Sequence, residues 1–227
     1  MIVRSCRRTE PDLSAPLLEL ERLACERDDR VLFSALDLTV AAGEALQLRG
    51  ANGAGKTTLL RCIAGLHVDF AGRIRIDGLE DADGQRQALF FGHRPAVSTA
   101  LTAAENLAWA SALEGVDAGA AAIAAALARV GLPHWDDVPC QQMSAGQQRR
   151  VALARLVLAI GRTPLWLLDE PFTALDDDGI TMVVDVVRAQ LDAGGAVLMA
   201  THQDAPGLDG LRTLRFGAEG PRLEQAA

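Results

Sequence analysis

Two kinds of apolar pattern alternate along this chain, one with the short runs typical of strands and one with the period of helices. Strands are predicted where apolar residues alternate or are continuous, at 17–25, 32–40, 44–49, 73–76, 89–92, 165–168, 196–200 and 211–216. Helices are predicted at 57–64, 102–113, 118–130, 144–160 and 178–193. Because strands and helices alternate over the second half, the pattern predicts a mainly parallel sheet with crossover helices.

The order of these elements divides the chain into regions of different character. Only the charged turn 26–30 separates the first two strands, which predicts an antiparallel β edge on an α/β fold. Helix formers without a strand signal precede residue 150 and predict an inserted helical subdomain. The predicted division is a loose N-terminal tail 1–16, an α/β core 17–94 with 151–220, the helical subdomain 95–150, and a C-terminal tail 221–227.

Composition and charge narrow the classes to which this protein can belong. With 227 residues, of which 49% are apolar, the chain can build one sizeable core and a subdomain. A net charge of −8 argues against nucleic acid as a partner, since phosphate backbones are held by clustered lysine and arginine. No apolar stretch is long enough to cross a bilayer, and no secretory signal is recognised. The cysteines lie far apart without zinc spacing, which predicts reduced thiols; they are Cys6, Cys25, Cys62 and Cys140.

Candidate chemistry begins at residues 50–58, which read GANGAGKTT and match the phosphate-binding loop G-x-x-x-x-G-K-[ST]. The glycines let backbone N–H groups approach phosphate oxygens, and the following helix points its positive end at them. Lys56 supplies a positive charge for the β- and γ-phosphates, and the Thr57 hydroxyl is a candidate Mg²⁺ ligand. The residues predicted to bind the nucleotide are Gly50, Ala51, Asn52, Gly53, Ala54, Gly55, Lys56, Thr57 and Thr58.

A second constellation lies at the end of the predicted strand 165–168, where Asp169 and Glu170 follow an apolar run. A buried parallel strand that stops at a carboxylate delivers that charge to the ligand edge of the sheet. Asp169 is therefore predicted to hold Mg²⁺, and Glu170 to act as the base or orienter for an attacking water.

The segment 143–150, with the sequence MSAGQQRR, is the third constellation. Ser144 is a good N-cap, Gly146 leaves the approach open, and the helix that follows offers a second anion-binding terminus. One nucleotide cannot easily use two distant helix termini of the same chain. The arrangement is therefore expected to work when two protomers sandwich ATP.

These motifs, in this order and spacing, resemble the nucleotide-binding subunits of ABC transporters. The resemblance covers roughly residues 17–216 and implies a P-loop NTPase fold of ABC type. It identifies 143–147 as the signature motif, 165–170 as Walker B, 174–176 as the D-loop and His202 as the switch histidine. It implies that Ser144, Gly146 and Gln147 contact ATP bound to the other subunit, and that His202, with Glu170 and Lys56, serves catalysis at the γ-phosphate.

Three positions depart from the family pattern. No aromatic residue stands at 25–30, so that Arg27 or a neighbour takes the adenine-stacking position. His93 occupies the usual Q-loop glutamine position, where it is a candidate metal contact together with Thr57 and Asp169. Ala145 replaces a signature glycine, which is a small change that the motif should tolerate.

Finer sequence detail at 25–33, 91–95, 101–107 and 144–150 resembles one branch of the family, the ATP-binding subunits of haem exporters that serve cytochrome c maturation. The resemblance implies a homodimer of ATP-binding subunits in complex with two transmembrane permease subunits. It places the chain at the cytoplasmic side of a bacterial inner membrane, attached through those partners. ATP turnover would then support haem delivery for c-type cytochromes.

Other functions remain open at this point. An ABC transporter subunit for a different substrate has the same motifs, because substrate choice lies with the membrane partner. An ABC module acting on DNA or ribosomes is disfavoured, since this acidic chain carries neither a second nucleotide domain nor basic extensions. An ATP-gated regulatory subunit with little hydrolysis is conceivable because of His93.

Overall fold

The computed structural model describes residues 16–28, 30–115, 117–203, 205, 207–208, 210–217 and 220–224. The strands are β1 Pro16–Arg27, β2 Arg30–Ala41, β3 Ala45–Gly50, β4 Ala71–Ile76, β5 Leu79–Glu80, β6 Ala88–Phe91, β7 Leu165–Asp169, β8 Ala196–Ala200, β9 Arg212–Gly217 and β10 Gly220–Glu224. The α-helices are α1 Lys56–Ile63, α2 Asp81–Gln85, α3 Ala103–Leu113, α4 Ala120–Arg129, α5 Ala145–Ala159 and α6 Asp177–Asp192. A short 3-10 helix at Cys140–Gln142 precedes α5.

These strands form two sheets. The first is antiparallel, with the order β2-β1-β4-β5. The second has the order β10-β9-β3-β8-β7-β6 and is parallel except for the antiparallel pair of β9 and β10. The predicted fold class is confirmed, because the sequence pattern placed both the parallel core and the antiparallel edge.

The two faces of the parallel sheet belong to different apolar cores. On β7, Leu165 and Leu167 point into a core shared with α1 and the antiparallel sheet. Trp166 and Leu168, which alternate with them, point into a core shared with α3, α4, α5 and α6. Both faces are thus covered, which is why β7 and β8 are apolar at every position before the strand end.

The helices between β6 and β7 begin at the positions that their sequence indicates. Thr102 and Ser144 each accept a hydrogen bond from a backbone N–H three residues later, and Glu105 and Gln147 reach back to the cap residue. These reciprocal bonds are capping boxes, each of which satisfies two backbone donors that a helix end leaves unpaired. They set the starts of α3 and α5, and with α5 the orientation of the signature segment.

Some boundaries differ from the predicted ones. The first residues of the predicted C-terminal tail 221–227 belong to strand β10. The sequence did not reveal this strand because Gly220 and Pro221 interrupt the alternation of apolar and polar residues. Arg215 on β9 and Glu224 on β10 form an ion pair at 2.5 Å. Residues 1–15 of the predicted N-terminal tail and 225–227 of the C-terminal one lie outside the described residues, and Pro16 already belongs to β1. The boundary at 150/151 falls inside the continuous helix α5. The division into core and helical subdomain stays a prediction.

Within the described ranges, none of the helices combines the length and the apolar character needed to cross a membrane.

Candidate nucleotide site

The phosphate loop runs from the end of β3 to the start of α1 and depends on glycine at its first position. Gly50 has φ of 149°, and a Cβ there would lie 2.7 Å from the carbonyl oxygen of Phe216 on β9. A larger residue would therefore push the loop away from the sheet. Gly55, with φ of 108°, is the last residue before α1 and takes a left-handed conformation that few other residues adopt. The loop thus leads directly into a helix N-terminus, as an anion site requires.

Lys56 is held inside this loop, with only 7% of its surface exposed. Its Nζ donates to the backbone oxygens of Gly50 at 2.7 Å and Ala51 at 3.1 Å. Burial lowers the pKa of Lys56, and the nearby carboxylates of Glu170 and Asp169 oppose that effect. The loop therefore presents a compact positive charge that its own carbonyls orient.

A hydrogen bond between Thr57 and Asp169 joins the phosphate loop to the end of β7. The Thr57 hydroxyl donates to Asp169 Oδ1 at 3.0 Å, and Asp169 is buried at the end of β7. A hydroxyl and a carboxylate are hard oxygen donors, the type that Mg²⁺ prefers. The residues present therefore fit a magnesium ion.

Glu170 follows Asp169 in a strained backbone conformation. Its φ is 53°, a left-handed value that is uncommon for a residue with a side chain. Its N–H donates to Ala200 O at 2.8 Å, and its carbonyl accepts a hydrogen bond from Arg149 Nη2 at 2.6 Å. The hydrogen bonds of its N–H and its carbonyl hold this backbone conformation. The chain therefore leaves β7 here, and the Glu170 carboxylate points toward the loop.

His202 comes after β8 and stands between the loop and Glu170. Its Nε2 lies 3.0 Å from Asn52 Oδ1, 3.4 Å from Lys56 Nζ and 3.6 Å from Glu170 Oε1. A hydrogen bond holds the segment that carries His202, because the buried Gln47 side chain on β3 donates to the backbone oxygen of Gln203 at 3.0 Å. The sequence analysis did not single out Gln47, although a glutamine in an otherwise apolar strand is a signal for such an anchor.

A pocket of about 590 Å³ opens above these groups. Its walls include most of the predicted nucleotide and catalytic residues, namely Asn52, Gly53, Gly55, Lys56, Thr57, Thr58, His93, Asp169 and Glu170. The turn after β1 supplies the wall on the predicted adenine side, with Arg27, Asp28, Arg30 and Leu32. Among the described residues of this wall there is no aromatic ring. The side chains that could pack against an adenine base are therefore two arginines and one leucine.

The remaining predicted residues do not line this pocket. Gly50, Ala51 and Ala54 form the body of the loop behind it. Ser144, Gly146 and Gln147 lie at the start of α5, and the pocket lining does not include them. Ser144 is exposed, and no atom would obstruct a side chain at Gly146 closer than 4.0 Å. The signature segment is therefore an open helix terminus that takes no part in the pocket of its own chain.

Arg149, which the sequence analysis did not assign, connects these parts. It is 3% exposed, and its guanidinium lies 4.5 Å from the centre of the Phe91 ring. Nη1 donates to the carbonyl of His93 at 3.0 Å and is 3.4 Å from that of Gly92, while Nη2 donates to Glu170. Burial lowers the pKa of Arg149. One side chain of α5 thus joins the segment after β6 to the end of β7.

Comparison with known proteins agrees with this geometry. The family model described as ABC transporter matches residues 33–173. The chain belongs to the ABC transporter family. The cytochrome c biogenesis ATP-binding export protein CcmA of Pseudomonas syringae pv. syringae is 49% identical over 210 residues, which cover 90% of this chain and 97% of that one. The CcmA of Salmonella typhi is 45% identical over 213 residues, which cover 91% and 100%.

A solved structure described as the ATP binding subunit of an ABC transporter shares the fold of this family member. It has a TM-score of 0.80 at 25% identity and covers 92% of this chain and 90% of that one. The predicted resemblance to ABC transporter ATP-binding subunits of the cytochrome c biogenesis branch is confirmed.

Proposed function

We propose that this ABC transporter subunit hydrolyses ATP to power an export step in c-type cytochrome biogenesis. The observation that carries the proposal is the meeting of the loop lysine and a strand-end carboxylate pair at one pocket, with His202 Nε2 3.4 Å from Lys56 Nζ and 3.6 Å from Glu170 Oε1. The biological role rests on relatives named as cytochrome c biogenesis ATP-binding export proteins. Haem is the cargo that the resemblance implies, delivered by the membrane partner.

Each group in the pocket has a separate task in this proposal. The loop amides and Lys56 bind the phosphates, with the Lys56 ammonium exchanging its backbone carbonyl partners for phosphate oxygens. Glu170 orients the attacking water and receives its proton. His202 contacts the γ-phosphate, and its position 3.4 Å from Lys56 Nζ supports that role.

Thr57 and Asp169 would hold Mg²⁺, and His93, which lines the same pocket, would contact it through water. When bound, the ion neutralises charge on the β- and γ-phosphate oxygens. His93 is exposed on the pocket wall, and its carbonyl is fixed by Arg149. An imidazole is a softer ligand than the glutamine usual at this position, which is why a contact through water is the better fit.

The ATP site is completed by a second copy of this chain. Ser144, Gly146 and Gln147 lie at an open helix terminus outside the pocket of their own chain, which supports a role on the nucleotide of the partner. A homodimer of this kind would bury two nucleotides between the phosphate loop of one chain and the signature of the other.

The membrane partners would dock near His93, on the face between β6 and α3. An apolar pocket of about 170 Å³ there is lined by Phe90, Val97, Leu107, Ala110 and others. Beside it on α3, Trp109 and Leu113 are 67% and 71% exposed. Large exposed apolar side chains next to a groove are typical of a protein interface. Two permease subunits bound here would hold the dimer at the cytoplasmic side of the bacterial inner membrane.

The catalytic assignment is tested by Glu170→Gln in the purified chain. The amide has nearly the same shape as the carboxylate but cannot accept the proton of water. Turnover measured by phosphate release is expected to fall by at least about 100-fold, in line with the loss of a general base. ATP binding, measured by equilibrium dialysis, should remain within about threefold of wild type. Unchanged hydrolysis would contradict the role of Glu170.

The biological role is tested by deleting the gene in its host and measuring covalent haem on c-type cytochromes. Loss of haem staining that wild type restores and Glu170→Gln does not restore is the expected result. Normal cytochromes in the deletion strain would overturn the haem assignment. That outcome, combined with normal ATP hydrolysis by the purified chain, would favour another exported substrate.

A further inference from the structure

Cys25, Cys62 and His67 are distant in sequence, but their side chains meet between β1 and α1. Cys25 lies near the end of β1, Cys62 lies on α1, and His67 follows that helix. Their sulfur and nitrogen ligand atoms all lie within 4.8 Å of one another. Both cysteines are buried and free, and His67 is half-buried. The fold has therefore gathered two thiols and an imidazole that the sequence spacing did not reveal.

The distances within this cluster match those of a thiolate–imidazole metal site. The Sγ of Cys25 lies 3.5 Å from Nε2 of His67. In a tetrahedral zinc site, Zn–S of about 2.3 Å and Zn–N of about 2.0 Å place sulfur and nitrogen about 3.5 Å apart. Cys25 and His67 thus already have the required separation, and the Cys62 sulfur lies within 4.8 Å of both ligand atoms. Two cysteines and one histidine are also a common zinc donor set.

Several atoms that could interact with a metal ion or a hydrogen-bond partner surround the Cys25 sulfur. The Cys25 thiol carries one proton, yet its sulfur lies 3.5 Å from His67 Nε2, 3.5 Å from Asp69 O and 3.9 Å from Glu26 O. The carbonyl oxygens of Asp69 and Glu26 are acceptors only, whereas His67 Nε2 donates or accepts according to its tautomer. One weak S–H donor can satisfy only one of them at a time. A positive ion at the centre would be attracted to both the sulfur and the imidazole nitrogen.

The charge that the two cysteines would carry as thiolates favours a divalent ion. Burial raises the pKa of Cys62 to about 12, with the neighbouring Cys25 adding to the effect. Both thiols are therefore neutral near pH 7, and a bound ion must displace their protons. Two thiolates around Zn²⁺ form a neutral group, whereas a monovalent ion would leave a net negative charge in an apolar core.

The cluster also has a route from solvent. Cys25 and Asp69 line a pocket of about 390 Å³ beside the antiparallel sheet. The Asp69 carboxylate is near enough to raise the pKa of Cys25, although burial is the larger cause. This side of the cluster is where an ion would enter and where water or a carboxylate would complete four ligands.

We propose that Cys25, Cys62 and His67 form a zinc(II) site that ties the end of β1 to helix α1. The site lies beside the nucleotide pocket on both elements, since Arg27 follows Cys25 and Lys56 begins the helix that carries Cys62. Bound zinc would stabilise the arrangement of the base-side wall relative to the phosphate loop. The inference stands independently of the proposed export function.

The test uses the full chain, reduced, stripped of metal and titrated with Co²⁺, a spectroscopic substitute for zinc. The background is a Cys6→Ser, Cys140→Ser double variant, which keeps both proposed thiols and removes the other two. One Co²⁺ per chain with thiolate-to-cobalt charge-transfer absorption is expected, and Zn²⁺ should displace it. Zinc should also raise the Tm of this background by several degrees.

Two further changes identify the ligands. Cys62→Ser in the double variant should abolish the charge-transfer absorption and the zinc-dependent rise in Tm. Because Cys62 is fully buried and its replacement could impair folding, His67→Asn, at a half-buried position, is the second variant and should weaken Co²⁺ binding at least tenfold. Absence of charge-transfer absorption in the double variant would overturn the proposal. Unchanged absorption and affinity in folded His67→Asn would also overturn it.

Discussion

Replacement of Arg149 by methionine is expected to destabilise the protein, although the sequence analysis gave this residue no role. Arg149 is 3% exposed and joins α5 to two loops through backbone carbonyls. Methionine has a similar length and fills most of the same space, so that the substitution removes the hydrogen bonds while leaving the packing on Phe91 largely in place. It therefore isolates the contribution of the guanidinium.

The expected loss in the free energy of unfolding follows from the hydrogen bonds that Arg149 donates. Two are well formed, to the carbonyl of His93 at 3.0 Å and, at a short 2.6 Å, to that of Glu170; the contact with Gly92 at 3.4 Å is weak. Hydrogen bonds from a charged group contribute about 1.5–3 kcal/mol each, which gives roughly 3–6 kcal/mol for two. Burial of the guanidinium opposes this gain, so that the net loss on removal should be about 3 kcal/mol. That is a large share of the roughly 5–15 kcal/mol that stabilises a typical domain.

Urea unfolding followed by circular dichroism measures this loss. Arg129→Met is the matched control, since Arg129 is exposed in the last turn of α4 and the same side chain is exchanged. The control should change the free energy of unfolding by less than about 0.5 kcal/mol. A loss below about 1 kcal/mol for Arg149→Met would refute the reasoning, because the carbonyls would then be equally well satisfied without the guanidinium.

Three further changes test other parts of the nucleotide pocket. His93→Gln is expected to raise ATP turnover, since an amide oxygen is a harder metal ligand than imidazole; unchanged steady-state rates would remove His93 from the metal contacts. Arg27→Ala should raise the Kd for ATP about fivefold, the equivalent of roughly 1 kcal/mol of stacking, while leaving the Kd for tripolyphosphate unchanged. Equal losses for both ligands would indicate a phosphate contact instead. Because burial lowers the pKa of Lys56, ATP affinity should fall as pH rises through a value below 10.5, and Lys56→Arg, which stays charged, should show a flatter profile. In the ligand-free protein, the same shift means that the buried charge costs stability at neutral pH. That cost is relieved as pH rises through the lowered pKa.

The elements of the fold were predictable where the apolar pattern was long or regular. Helices α3, α5 and α6 and strands β1, β2, β7 and β8 lie within a few residues of their predicted positions. The short elements α2, β5 and β10 were not predicted, because their few residues are polar and carry no period. They are held in place by neighbouring strands, a tertiary effect that a local pattern does not contain.

The candidate site divides in the same way. Residues proposed to act at a local loop or a strand end could be predicted from the sequence, as with Lys56 and Asp169, which the structure brings to one pocket. Arg149 could not, since an arginine in a polar helix segment looks like a solvated residue until the fold buries it. The cluster of Cys25, Cys62 and His67 could not be predicted for a related reason: zinc-binding spacing is a pattern within one segment, whereas these residues come from a strand, a helix and the segment that follows the helix.

The order of strands explains why the proposed catalytic groups meet. The phosphate loop follows β3, Asp169 ends β7, and His202 comes shortly after β8, which lies between the other two strands. Ala200 at the end of β8 pairs in register with Leu48 on one side and Asp169 on the other. Because parallel strands end at the same edge, the residue that follows the middle strand must stand between the groups delivered by its neighbours. His202 accordingly lies 3.4 Å from Lys56 and 3.6 Å from Glu170, which places its imidazole in contact with both the loop and the strand-end carboxylate.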